Sequence, residues 1–318
     1  MKVCISHMED ADGIVSACMI SKMFNTKNIL VDYDTLLPNL KKLVDEDIKE
    51  LFICDLGLGK AIQDEFLSII KELRGRGVNI TYIDHHDQSD ALKDALNNNL
   101  RLIHTLDECT SVIIYSNFKD KLDDRYKLLA AAAAIVDEMD RKPIASKLVK
   151  SYDRQFIFYE TTVLSYAIYA SQNDMPFLLE LTEELKHKLP HEIDGLIERA
   201  NRYAEQVAST MKLIEEQANI RDGFGLIYIK DPLDTGATAN MLLMMKQLKV
   251  GMAYKDRDDR YVISLRGAED YDKHLGRILS SLASELGGSG GGHKLACGAS
   301  IPKDKMDEFI NRLEQMIK

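Results

Sequence analysis

The sequence lacks the features that would tie it to an oxidising compartment, a bilayer or a long polyanion. Its five cysteines (Cys4, Cys18, Cys54, Cys109 and Cys297) are scattered and form no CxxC pair. That pattern fits thiols packed as small core residues in a reducing cytoplasm. No apolar run approaches the length of a membrane span, and no secretory signal stands at the start, so the expected location is cytoplasmic, away from membranes. Positive charge is in deficit, with 41 Lys and Arg against 51 Asp and Glu, a formal net charge of −10. Such a balance argues against a protein that coats long nucleic acid with a broad basic face. It does not exclude a short anionic substrate at a metal centre, where ions supply the positive charge.

What is present is ordinary globular material with unusual strand ends. The 318 residues are 45% hydrophobic and 29% charged, enough for two domains with sizeable cores. Residues 78–83 form a β-branched and aromatic run, read as a buried strand, that stops at Asp84-His85-His86. Charged groups and imidazoles are costly to bury unless paired or bound to metal, and ligands of open α/β sheets sit at the carboxyl ends of strands. Alone, the triplet could equally be a polar surface turn. Other strands end the same way. Residues 2–6 lead into His7-Met8-Glu9-Asp10-Ala11-Asp12-Gly13 and a periodic helix, and residues 51–54 lead into Asp55. One aspartate after the first strand would serve as a helix cap; a histidine with two aspartates favours a hard divalent ion. Strand–helix alternation predicts a mostly parallel, doubly wound sheet with these groups on one edge.

Further on, Leu128–Val136 reads as a small-residue helix followed by Asp137, which on its own would be a solvated charge. Residues 143–220 show helical periodicity, expected to pack the domains or a second subunit, with Lys147, Lys150 and Arg154 read as solvated. From Gly223 strands return. Gly287-Gly288-Ser289-Gly290-Gly291-Gly292-His293 leads into a strand-like 296–301, and is expected to be a loop whose backbone approaches a phosphate as a lid or clamp.

His7…Asp10-x-Asp12-Gly13, Asp55, Asp84-His85-His86 and Asp137 resemble the four motifs of the DHH phosphoesterase superfamily, which includes RecJ-like nucleases, nanoRNases and family II pyrophosphatases. Gly290-Gly291-Gly292-His293-Lys294-Leu295-Ala296-Cys297-Gly298 resembles the signature of the accompanying DHHA1 domain, and Ser264-Leu265-Arg266 its arginine-bearing strand. Only Met8 and Glu9 separate His7 from Asp10, one residue fewer than in many relatives. The resemblance implies a DHH domain over 1–142, a helical connector over 143–221 and a smaller α/β DHHA1 domain over 222–318. It implies two Mn²⁺ ions, with Mg²⁺ possible: one held by His7, Asp10 and Asp55, the other by Asp12, Asp55, His85 and Asp137. Asp55 would bridge them, Asp84 would orient an imidazole, and His86 would face the phosphate or leaving group. Arg266, Gly290, Gly291, Gly292 and His293 would grip substrate. The activity implied is phosphodiester hydrolysis of single-stranded RNA or DNA or short oligonucleotides, with a homo-oligomer possible through the connector. The rivals are a 3′-phosphoadenosine 5′-phosphate phosphatase, a cyclic-dinucleotide phosphodiesterase, and a catalytically silent nucleotide-binding partner.

Overall fold

A computed structural model describes residues 1–230 and 233–318, and the chain divides into two compact units, Met1–Ala204 and Glu205–Lys318. The first unit opens with five strands: β1 Lys2–His7, β2 Lys27–Val31, β3 Glu50–Cys54, β4 Asn79–Asp84 and β5 Arg101–His104. They are crossed by α1 Ala11–Phe24, α2 Leu36–Val44, α3 Gln63–Gly75 and α4 Asp90–Asn97. The strands pair in parallel in the order β2-β1-β3-β4-β5. Side chains of a strand alternate between faces. Val3 and Ile5 therefore join α2, α3 and α4 on one side, while Cys4 joins α1 on the other. Both faces are covered, which is why these strands read as continuous apolar runs.

The chain changes direction across the sheet between β1 and β3, so their crossovers leave in opposite senses. In this strand order that switch point is where a crevice opens at the carboxyl ends of the strands. Six helices follow: α5 Thr110–Phe118, α6 Asp124–Val136, α7 Ala145–Val149, α8 Arg154–Tyr169, α9 Met175–Glu184 and α10 Leu196–Gln217. The alanines of α6 are fully buried and share one core with α1, α5, α8 and α9. Residues 143–204 thus belong to the first unit's core, where the sequence suggested a connector, and the boundary between units falls within α10.

The second unit holds β6 Asn219–Arg221, β7 Phe224–Tyr228, α11 Thr235–Met245, β8 Val250–Arg257, β9 Arg260–Gly267, α12 Leu275–Glu285, β10 Ser289–Gly292, β11 Ala296–Pro302 and α13 Met306–Ile317. Its sheet runs β10-β11-β9-β8-β7-β6, with β7 and β8 parallel and the other pairs antiparallel. The expected glycine loop is corrected here. Ser289–Gly292 is an edge strand in register with Cys297–Ser300, and α12 packs so close that a Cβ on Gly276 would lie 2.1 Å from the Gly292 carbonyl. Among the described residues no helix is long and apolar enough to cross a membrane.

Candidate metal centre and active site

The crevice is built by strand ends. His7 closes β1, Asp55 follows β3, and Asp84 closes β4 with His85 and His86 just beyond. Asp10 caps α1, its Oδ1 accepting from the Gly13 amide at 3.0 Å, and turns Oδ2 to His7 Nδ1 at 3.1 Å. Gly13 is required because any Cβ there would lie 2.2 Å from the His7 carbonyl oxygen. The capping role and the ligand role thus coexist on one side chain. Gly57 makes room in the same way, since a Cβ would sit 2.9 Å from the His86 ring.

Asp55 stands at φ 58°, left-handed backbone that few side chains occupy without surrounding constraint. Its amide donates to the Ile83 carbonyl at 3.1 Å, and its carboxylate lies 3.9 Å from His7 Nδ1 and 3.3 Å from His85 Nε2. His85 Nε2 is also 3.4 Å from Asp137 Oδ2, which the end of α6 brings into the crevice. Asp12 is fully buried and accepts from the Thr110 and Ser111 amides at 2.7 and 2.8 Å, at the start of α5. The Thr110 hydroxyl donates to Asp55 at 3.2 Å.

Three groups of donor atoms each fall within 4.8 Å: His7, Asp10 and Asp55; Asp12, His85 and Asp137; and Asp55, His85 and His86. They interlock through Asp55 and His85. Around them stand five carboxylates and three imidazoles, and among the described residues no Lys or Arg pairs with any of these aspartates. Burial, and then the charges of Asp12, Asp10, Asp137 and Asp84, push the Asp55 carboxyl well above the ordinary range. Burial with Asp12, Asp10 and Glu138 pushes Asp137 up to about 9. His7 Nε2 and Asp137 Oδ2 are buried without a hydrogen-bond partner. Buried carboxylates that repel one another, beside orphaned donor atoms, are what a cation-binding site presents without its ions. The residues fit divalent metal.

The outer side is organised by Asp84. It is fully buried, with Oδ1 2.8 Å from His86 Nδ1 and Oδ2 accepting from Gln88 Nε2 at 2.9 Å. Burial opposes its charge most strongly, but the His86 hydrogen bond, the charges of His86 and His85 and the Gln88 bond together outweigh it and hold the carboxyl below the usual range. Burial likewise opposes the His86 cation, and Asp84 reverses that, raising its pKa. His85, where burial dominates, is lowered.

Sequence reasoning missed Tyr33, Gln88, His104 and Thr110. The Tyr33 hydroxyl lies 3.3 Å from His86 Nε2 and its ring packs 5.2 Å from the His7 ring. His104 donates to the His86 carbonyl at 2.7 Å. Only Thr110 carried a signal, as a hydroxyl opening a helix.

The remaining expected residues lie in the second unit. Arg266 on β9 pairs with Ala296 on β11, and Gly292 on β10 pairs with Cys297, so one strand separates the arginine from the glycines. The Arg266 guanidinium lies over Gly236, where a Cβ would approach Nη2 to 2.6 Å. His293 is exposed, its amide donating to the Ala296 carbonyl at 2.8 Å.

Residues 2–137 match the model of the DHH family, N-terminal domain, and residues 226–318 match the DHHA1 domain. A stretch of 40 residues is 45% identical to an uncharacterised protein of Methanocaldococcus jannaschii, covering 13% of this chain and 9% of that one. Among solved structures, the fold is similar to a pGpG-specific phosphodiesterase, PggH, of Vibrio cholerae (TM-score 0.66, 12% identity, 100% and 99% of the two chains). It is also similar to the DHH domain of a member of the s1p family of ribosomal proteins (0.69, 15%, 99% and 86%). RecJ of Thermus thermophilus in complex with Mg²⁺ gives 0.59 at 15% identity, over 99% of this chain and 49% of that one.

Proposed function

A chain that carries the DHH N-terminal domain followed by a DHHA1 domain belongs to the DHH phosphoesterases, and from that premise we propose that it is a metal-dependent phosphodiesterase hydrolysing short or single-stranded nucleic acid. The observation that carries this reading is the set of interlocked donor groups in the crevice. His7, Asp10 and Asp55 would hold one ion, and Asp12, Asp55, His85 and Asp137 the other, with Mn²⁺ suited to the mixed imidazole and carboxylate set and Mg²⁺ admissible. Two such ions supply a water of lowered pKa and neutralise charge on the phosphate. Asp84 fixes His86 with Nδ1 inward, so that Nε2 turns to the crevice, 3.3 Å from the Tyr33 hydroxyl. There the imidazole can donate to a phosphate oxygen or to the departing oxygen. Thr110 and Ser111 lock Asp12 through their amides, so that carboxylate needs no rearrangement to act. In the second unit, Arg266, Gly290–Gly292 and His293 would grip a nucleotide phosphate.

A nucleotide-containing phosphodiester is favoured because the second unit is a DHHA1 domain, and a linear dinucleotide such as the one named for PggH is the smallest member of that class. The complete donor set argues against a silent binding partner. Purified protein incubated with Mn²⁺ should convert end-labelled oligonucleotides to mononucleotides, and EDTA should stop it. Asp55→Ala should lose far more than the roughly 10–100-fold seen when a residue that only orients a ligand is removed. Turnover that survives EDTA, or near-normal turnover by Asp55→Ala, would overturn the reading.

A further inference from the structure

Helix α8 exposes three of its rings, Phe156, Phe158 and Tyr159, while Tyr166 and Tyr169 are half-buried. Ile157, Glu160, Thr161, Leu164 and Ile168 are buried, facing the core. Phe158, Tyr159, Thr162, Tyr166 and Tyr169 recur at spacings of one to four residues and so lie along the opposite stripe. Phe158 and Tyr159 are 40% and 45% exposed. Leaving apolar rings on a solvent face is unusual in a helix whose other side is fully packed.

The stripe leads to the metal centre. Tyr152, just before α8, donates to the Asp124 carbonyl at the start of α6 at 3.2 Å, and α8 packs along α6 and against α1. The far end of α6 is Asp137, and α1 begins at Asp10 and Asp12. Tyr166 and Tyr169 at the end of α8 pack on Tyr203, with ring centroids 5.0 and 5.4 Å apart. The charges of Asp10 and Asp137 add to burial in raising the Tyr169 phenol, as they would for a ring standing near the crevice. From Phe158 to Tyr169 the helix rises about 16 Å, room for several bases.

Charge completes the surface. Residues 141–159 hold five cations (Arg141, Lys142, Lys147, Lys150 and Arg154) against one acid, in a chain of net charge −10. The acid, Asp153, is committed to capping α8, accepting from the Phe156 amide at 2.9 Å. Among the described residues no carboxylate pairs with any of the five, and the Arg154 guanidinium lies 5.7 Å from the Phe158 ring centroid. Glu108 anchors this segment to the site: it accepts from the Ala145 amide at 2.9 Å, two residues before the Thr110 that binds Asp12 and Asp55.

We infer that the outer face of α8, with the cations preceding it, is a track that seats single-stranded nucleic acid and feeds its end to the metal centre. Rings offer stacking to any base, unpaired cations follow the phosphates, and the track ends at the donor groups. The inference rests on the hydrolase reading for what happens at the end of the track, but binding can be measured without hydrolysis.

The test uses the full chain in EDTA with a fluorescein-labelled single-stranded oligomer of about 12 nucleotides. A base stacked on an aromatic ring gains roughly 5–150-fold in affinity, so Phe158→Leu with Tyr159→Leu should raise Kd at least about tenfold. Leucine keeps the surface apolar, and a melting temperature equal to wild type shows that the fold is intact. Lys147→Ala with Arg154→Ala should weaken binding and flatten its salt dependence. In Mn²⁺, the leucine pair should lose about tenfold more kcat/KM on the long oligomer than on a dinucleotide. Unchanged oligomer binding in both variants would overturn the track, as would equal losses on both substrates. It would also fail if the leucine pair altered only self-association in sedimentation, which would make the face a dimer contact. Absence of any hydrolysis by the wild type would sink the enzymatic reading while the anisotropy measurement still judged the track.

Discussion

Asp137 shows why single residues of this crevice matter beyond their own contacts. Its ordinary carboxyl value of 3.8 is pushed up to about 9 by burial and by neighbouring aspartates. Without metal, the folded protein therefore retains a proton that the unfolded chain releases. Stability from this group is fully present below about pH 3.8 and is lost as pH rises toward about 9. Asp137→Asn should accordingly raise the melting temperature of EDTA-treated protein at pH 8, by at least the roughly 2–4 °C that 1 kcal/mol represents in a unit of this size, and change it little near pH 4. On the proposed metal assignment, Mn²⁺ should stabilise the wild type at pH 8 and stabilise this variant less. A lower melting temperature at pH 8 in EDTA would contradict the electrostatic account. Tyr33 is the second residue whose contacts foretell a phenotype. Tyr33→Phe keeps the ring against His7 and removes only the hydroxyl beside His86 Nε2. Loss of one charge-assisted hydrogen bond corresponds to about 1.5–3 kcal/mol, so kcat should fall roughly 10–100-fold and its pH profile should shift, with Mn²⁺ affinity by calorimetry unchanged. A matching fall in Mn²⁺ affinity would mean that the ring acts only by packing His7. His7, Asp10, Asp12, Asp55 and His85 stood out because several strands end in chemistry of one kind, whereas Asp137 follows a helix and was marked only by the family resemblance. Tyr33 was not marked at all, because an aromatic between two aspartates in a surface segment has no periodicity to betray it.

Secondary structure was legible wherever hydrophobic period and burial agreed. The strands of the first sheet are covered on both faces and stand out as apolar runs, and α1 announces itself by cap and period. The glycine run misled for a physical reason. Composition cannot show that β11 supplies a hydrogen-bonding partner to an edge strand, or that α12 packs on it through Ala283 at Gly290 and Gly276 at Gly292. The structure separates two glycines that look equivalent in sequence. At Gly291 a Cβ would meet nothing within 4 Å, whereas Gly292 has φ +135° and a Cβ there would lie 2.7 Å from the Cys297 Cα. Gly292→Val should therefore destabilise the protein by more than about 1 kcal/mol, through strain and clash. Gly291→Val should melt like wild type yet hydrolyse oligonucleotides poorly, if that backbone approaches a phosphate. Wild-type oligonucleotide turnover by Gly291→Val would remove the glycine strand from the binding surface.

At the scale of the molecule, among the described residues every donor atom of the metal groups belongs to the first unit, within residues 7–137. The division of the chain explains why the sequence showed three parts where its contacts make two. Helical periodicity over 143–220 reports only that one face of each helix is buried, and cannot say against what; α6, α8 and α9 in fact close over a core begun by α1. If the metals are the affair of the first unit and the nucleotide phosphate that of the second, then Arg266→Ala should separate the two functions. The guanidinium shares Gly236's surface and, among the described residues, its one hydrogen bond is Nη1 to the Leu265 carbonyl at 3.0 Å, which leaves donors of the fork for a phosphate. Mn²⁺ affinity by calorimetry and the Mn²⁺-induced rise in melting temperature should match wild type. Affinity for a 5′-mononucleotide should fall roughly 10–100-fold, the equivalent of a lost charge-assisted bidentate contact. Hydrolysis of bis-p-nitrophenyl phosphate, which offers no nucleotide to grip, should fall far less than hydrolysis of a dinucleotide. A loss of Mn²⁺ affinity in Arg266→Ala would show that the second unit helps to hold the ions. Equal losses on the small ester and the dinucleotide would place Arg266 in the chemistry itself.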